Sequence, residues 1–220
     1  MCAHSFSSSC ALITKRKAYI WLLTIVLWLK MANETIEILK LLMDNREETF
    51  SIRKISQLRD INYKSAYIAL KFLSREKLVD LKKVGNTITC IFNNNFNDLV
   101  FKAESLRRED LFKNKDFLII HKRLSELKFP FIALLFGSYA KGTAKKHSDI
   151  DLLTLGGNED KIQEAISLLP DKIHLTSLSY ESFIKMIKSK DRSVVSEVIK
   201  KNIILIGIEE YYRLLNNTKT

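Results

Sequence analysis

The sequence predicts an α/β (α+β) protein: a small mixed-sheet domain preceded by a helical module that ends in a β-hairpin. Three features carry this. Apolar runs at Phe131 to Phe136 and around Ile150 to Leu153 bracket a glycine-containing basic loop. After them, strand-like and helix-like segments alternate to the end of the chain. Before them, three stretches of helical periodicity lead into two short β-prone runs joined by Gly85-Asn86.

A chain of 220 residues makes one large domain or two small ones, and 46% hydrophobic residues are enough for a buried core. The net charge is +11. A basic surface favours phosphate-bearing partners and serves nucleotides and nucleic acid alike. Cys2, Cys10 and Cys90 are scattered, with no metal-ligand spacing and no disulfide framework, which fits a reducing cytoplasm, the expected location.

Residues 1–30 differ from the rest. A serine-rich start is followed by Lys15, Arg16 and Lys17 and then by the apolar run Ala18 to Leu29. That run is shorter than the roughly 17–25 residues a membrane-spanning helix needs, so no stable insertion is expected. Met31 opens a stretch that reads as an ordinary start, and 1–30 is taken as an atypical N-terminal extension. A membrane-associated helix and a helix packed on the body remain open.

Residues 31–97 form the predicted helical module. Ile36, Leu39, Leu42 and Met43 lie at helical spacing, and Asn45 to Thr49 is a polar turn. Ser51 caps a second helix carrying Ile52, Ile55 and Leu58, and Asn62 caps a third that runs to about Lys77. Ala66, Ala69, Leu70 and Leu73 form the inner stripe of that third helix, and Tyr63, Lys64, Tyr67, Lys71 and Arg75 lie mostly outside it. Leu78 to Val84 and Thr87 to Phe92 make the hairpin. Over roughly residues 32–93 this pattern resembles a winged helix-turn-helix domain. The resemblance implies DNA as a partner, with Lys64, Tyr67, Lys71 and Arg75 on the recognition helix and Lys82 and Lys83 at the wing. Residues 51–77 hold seven Lys/Arg against two Asp/Glu. A dimerisation or protein-docking module is the alternative.

The polar cluster Asn93 to Asn97 marks a boundary. Residues 98–129 read as a charged connecting helix with Phe117, Ile120, Leu124 and Leu127 in one stripe, and Phe129-Pro130 ends it. Arg107-Arg108-Glu109-Asp110 reads as a solvated mixed-charge face. In the second predicted domain, 130–220, Asp160 to Leu169 is a helix and Lys172 to Leu178 a strand. Tyr180 to Ser189 and Val194 to Lys201 are helices, Ile203 to Ile206 is strand or helix end, and Glu209 to Leu215 is a closing helix.

The chemistry concentrates between Phe136 and Leu153. Residues i and i+2 of a strand share a face, so Asp149 and Asp151 project side by side while Ile150 and Leu152 point to a core. Two like charges on one face invite a cation, and Mg²⁺ favours one or two carboxylates plus substrate phosphates. Gly137 and Ser138 leave backbone N–H groups open to a phosphate. Together these suggest a nucleoside triphosphate site.

Gly137, Ser138, Gly142, Ser148, Asp149 and Asp151 agree in type, order and spacing with the signature of the DNA polymerase beta superfamily, and the chain resembles its minimal nucleotidyltransferases. The resemblance implies a nucleotidyltransferase domain with Asp149 and Asp151 as metal ligands for Mg²⁺. It further implies Gly137, Ser138, Lys141 and Ser148 at the nucleotide, Ser148 as a brace for the Asp149 turn. The expected reaction moves a nucleoside monophosphate, AMP from ATP, onto a hydroxyl of a protein or small molecule. A small helical toxin-like protein is one implied partner.

One feature departs from the family. The neighbouring strand, which usually supplies a third carboxylate, carries His174 and Thr176 on the expected face, and Asp171 precedes it. His174 is the candidate base or ligand. The departure keeps a second reading open: a DNA-binding regulator whose second domain binds nucleotide without turning it over.

Overall fold

The computed structural model describes residues 7–167, 172–189 and 194–218. No glycine or proline interrupts the first helix, α1 (Ser7–Asp44), which passes through Met31 without a break. Once nucleated, a helix continues until a breaker stops it. The helix expected from the spacing of Ile36, Leu39, Leu42 and Met43 is the end of a longer one, and no helix break falls at residue 31. Its final turns bury Ile36, Ile38, Leu39, Leu42 and Met43, whereas Trp21, Leu22, Ile25, Val26 and Leu29 are exposed. No helix among the described residues is long and apolar enough to cross a membrane.

Then come β1 (Phe50–Ser51), α2 (Ile52–Leu58), α3 (Tyr63–Arg75), β2 (Val79–Val84) and β3 (Thr87–Phe92). The side chains of Ser51 and Asn62 accept from the backbone N–H of Lys54 and Ser65, satisfying donors that the first turns of α2 and α3 leave open. Ala66, Ala69, Leu70 and Leu73 are buried. Leu58, read as an inward residue, is 47% exposed because α2 ends there. The three strands form an antiparallel sheet in the order β1-β3-β2.

The connecting helix predicted over 98–129 is two helices, α4 (Asp98–Leu111) and α5 (Lys115–Ser125). Asn114 makes the division, its side chain accepting from the Asp116 N–H to start a new helix. The two pieces then face different cores. Val100 and Ala103 of α4 join one buried cluster, and Phe117, Ile120 and Leu124 of α5 join the other.

The remaining elements are β4 (Ile132–Phe136), α6 (Gly137–Lys141), β5 (Ile150–Leu155), α7 (Glu159–Ser167), β6 (Ile173–Leu178), α8 (Tyr180–Ser189), α9 (Val194–Lys200), β7 (Ile203–Ile206) and α10 (Ile208–Asn216). Leu169 lies outside the described residues. Ile203 to Ile206, left between strand and helix end by the sequence, is a strand. The sheet order is β6-β5-β4-β7, with β4 antiparallel to both neighbours and β5 parallel to β6. Side chains alternate between its faces. Leu134, Phe136, Leu153 and Leu155 belong to the cluster that also holds the core of α1, α3 and β3, while Ala133, Leu135, Ile150 and Leu152 pack under α5 and α7. The two halves of the chain thus share one continuous apolar cluster.

A polar network is buried beside that cluster. Arg46 donates to Glu104 (3.0 Å), to the Tyr212 hydroxyl (2.9 Å) and to Asn94 (3.1 Å). Arg107 donates to Glu104, to Asp44 (2.8 Å) and to the Asn202 carbonyl (2.6 Å). Buried charges occur almost only when paired like this. Burial pulls against the charge on Arg107, but Glu104 and Asp44 outweigh it and hold the guanidinium charged. The expectation that Arg107-Arg108-Glu109-Asp110 is a solvated face is therefore corrected. Arg107 is only 4% exposed, and Arg108 donates to the Leu205 carbonyl (3.0 Å). The Asn45 to Thr49 turn is likewise not wholly polar surface, because Arg46 is buried.

Candidate functional site

The end of β4 and the start of β5 bring the site together. Phe136 of β4 stands opposite Asp151 of β5 in the antiparallel ladder, so the residue after Phe136 meets the Asp151 side chain. That residue is Gly137, with φ +68°. Its missing side chain makes room for the acid: a Cβ there would collide with Asp151 Oδ2. The chain then turns into α6, closed by Gly142 in the left-handed conformation. Ser138 is half-buried, and its carbonyl accepts from the Thr143 N–H (3.0 Å), which folds the following loop back on the turn.

Ser148 braces the basic loop. Its hydroxyl accepts from the Lys145 N–H (2.8 Å), and its own N–H donates to the Lys145 carbonyl (3.0 Å). Lys145, Lys146 and His147 are exposed. Asp149 lies one residue before β5, half-buried, and Asp151 is 29% exposed.

The neighbouring strand supplies bases rather than an acid. Asp151 and His174 are register partners, and His174 Nδ1 lies 3.7 Å from Asp151 Oδ1. Lys172 Nζ lies 3.0 Å from Asp149 Oδ2. Asp171 is outside the described residues. Among the described residues no cluster of three or more histidine, cysteine, aspartate or glutamate side chains is assembled to hold a metal ion. The protein's own donors here are two carboxylates, which suits Mg²⁺ when phosphate oxygens complete its coordination.

Lys141 makes an ion pair of its own. Its ammonium pairs with Glu197 of α9, and it lines a cavity of about 300 Å³ with Lys40, Arg107, Tyr139 and Lys201. Gly137, Asp151 and His174 are therefore together, and Asp149 stands beside Lys172. Lys64, Tyr67, Lys71 and Arg75 lie on α3, in the other half of the molecule, all exposed, with Lys71 Nζ 5.8 Å from the Tyr67 ring centroid. The residue that sequence reasoning passed over is Lys172. Its signal was legible: Lys172 and His174 repeat the i, i+2 spacing of Asp149 and Asp151 on an adjacent strand.

Residues 119–211 match the family model described as Polymerase beta, Nucleotidyltransferase, a stretch from α5 into α10 that contains every residue of this site. The match covers less than half of the chain and makes this part similar to nucleotidyltransferases, supporting nucleotidyl transfer as the general function. No curated protein and no solved structure matches the chain.

Proposed function

We propose that the protein transfers a nucleoside monophosphate, AMP from ATP, to a hydroxyl group. The observation that carries this is the packing of the Asp151 carboxylate into the space left by Gly137. It brings a turn able to bind phosphate and an acid able to hold a cation to one point. The Gly137 and Ser138 N–H groups and the Ser138 hydroxyl bind the β- and γ-phosphates, and Asp149 and Asp151 hold Mg²⁺. When bound, the ion polarises the phosphoryl oxygens and supports the leaving group. The acceptor oxygen forms a bond to the α-phosphorus, the bond from that phosphorus to the oxygen bridging to the β-phosphate breaks, and pyrophosphate departs. His174, beside Asp151, takes the hydroxyl proton. The acceptor is a tyrosine or serine of a small partner protein, or a small molecule.

The test is transfer of label from α-³²P-ATP with Mg²⁺ in extracts containing candidate acceptors. Label carried by an acceptor, and lost in Asp149→Asn and Asp151→Asn, supports the reading. Absence of label with intact ATP–Mg²⁺ binding supports the other one, a regulator that senses nucleotide.

That second reading is favoured by the replacement of the usual third acid by His174, and by the exposed cations of α3. As a winged-helix module, residues 31–97 would contact DNA through Lys64, Tyr67, Lys71 and Arg75, with Lys82 and Lys83 of the hairpin on the flanking backbone.

A further inference from the structure

We propose that Lys172 supplies one of the positive charges of the site, so that the protein uses a single divalent ion where a two-ion site would hold a second. This rests on the nucleotidyl-transfer reading. The two acids and the two bases make matched rungs across parallel strands: Asp149 with Lys172 (3.0 Å) and Asp151 with His174 (3.7 Å). The backbone sets residue 172 opposite Asp149, and the lysine side chain completes the first rung. Ile150 N–H donates to the Lys172 carbonyl (3.0 Å), continuing the ladder that sets Ile150 against Ile173 and Asp151 against His174. Lys172 is thereby held beside Asp149 while its side chain remains 81% exposed.

The charge count favours one ion. A second divalent ion on Asp149 would have to displace the Lys172 ammonium from the oxygen it already neutralises. The ammonium neither requires further ligands nor dissociates from the chain. It leaves the other oxygen of Asp149, with Asp151 and the triphosphate oxygens, to bind the one ion that arrives with the nucleotide.

The experiment counts ions rather than turnover. The full-length chain is titrated with Mn²⁺ and followed by electron paramagnetic resonance, with and without the α,β-methylene analogue of ATP. One Mn²⁺ per chain is expected with the analogue, two in Lys172→Met, and one again in Lys172→Arg. Without analogue, Lys172→Met binds Mn²⁺ about fivefold more tightly than the parent, the equilibrium equivalent of losing one surface ion pair. Two ions in the unaltered protein, or a single ion in Lys172→Met, overturn the proposal and leave the transfer reading standing. No analogue-dependent Mn²⁺ binding in any of the three overturns the transfer reading and this inference with it.

Discussion

Gly137 and Asp151 are fitted to one another: the acid's carboxylate occupies the volume that any side chain at 137 would need. Because φ at Gly137 is +68°, a substitution is also strained in its backbone. Gly137→Ala is expected to lower stability by about 1–3 kcal/mol and to push the Asp151 side chain out of place. Thermal unfolding with and without ATP–Mg²⁺ checks both effects. The parent should gain stability from the ligand, as any species binding only the folded state must provide, and the variant should gain almost none. Equal protection of both would show that the fit is irrelevant to binding.

Asp151→Asn keeps the shape of the side chain and removes its charge. Transfer should fall by about a hundredfold or more, as expected when several kcal/mol of charge stabilisation are lost, while the urea midpoint stays near that of the parent. Transfer at the parent rate would sink the assignment of Asp151 as a metal ligand.

Glu104 pairs with two buried guanidinium groups, those of Arg46 and Arg107, and Asp44 supplies the second negative charge. Glu104→Leu leaves Arg46 without an acidic partner, and a cost of about 3–5 kcal/mol is expected. Urea denaturation should show a lower midpoint with unchanged slope. Adding Arg46→Met to that variant should recover part of the loss, because the unpaired charge goes with it.

His121 packs its ring 4.8 Å from that of Phe112. Burial, and then the Arg108 charge, push its imidazole below the ordinary 6.5, with the Leu205 backbone opposing them weakly. The folded protein therefore holds His121 neutral after the unfolded chain has begun to take up a proton. Its contribution is complete above about pH 6.5 and declines as pH falls through the lowered value. Urea midpoints at pH 7.5 and 5.5 should differ less in His121→Leu than in the parent. An unchanged difference would exclude this residue as the source.

If α3 contacts DNA through phosphates, Lys71→Ala should weaken binding similarly on all sequences. It should also reduce the slope of log K against log salt by about one. Fluorescence anisotropy over a range of salt concentrations measures both, and an unchanged slope would remove Lys71 from the contact.

Local rules made much of this fold legible. Caps at Ser51 and Asn62, the buried stripe of α3, the hairpin around Gly85-Asn86 and the strand on either side of the basic loop all follow from short-range spacing. The approach of Gly137 to Asp151 was legible because both lie within fifteen or so residues of chain, about the reach of a strand-turn-strand unit. What was not legible depends on distant partners. Arg46 and Arg107 look like surface residues until Glu104, Asp44, Asn202 and Tyr212 are brought to them. The division of α4 from α5 was hidden because Asn114 within a charged stretch reads as solvated helix surface. The pairing of Lys141 with Glu197 likewise needs α9 to be folded against α6.

Tyr212 closes the first half of the molecule from near the far end of the chain, through Arg46, Glu104 and the rings of Phe92 and Phe96. The first half therefore emerges from the ribosome well before its last wall is made. A chain stopped before Ile203 lacks the strand that pairs with one edge of β4, and one stopped before Tyr212 lacks the hydroxyl that bonds Arg46 and Glu104. A nascent chain stalled before Tyr212 should thus be readily cut by protease within α4, and become resistant only when synthesis has passed that tyrosine.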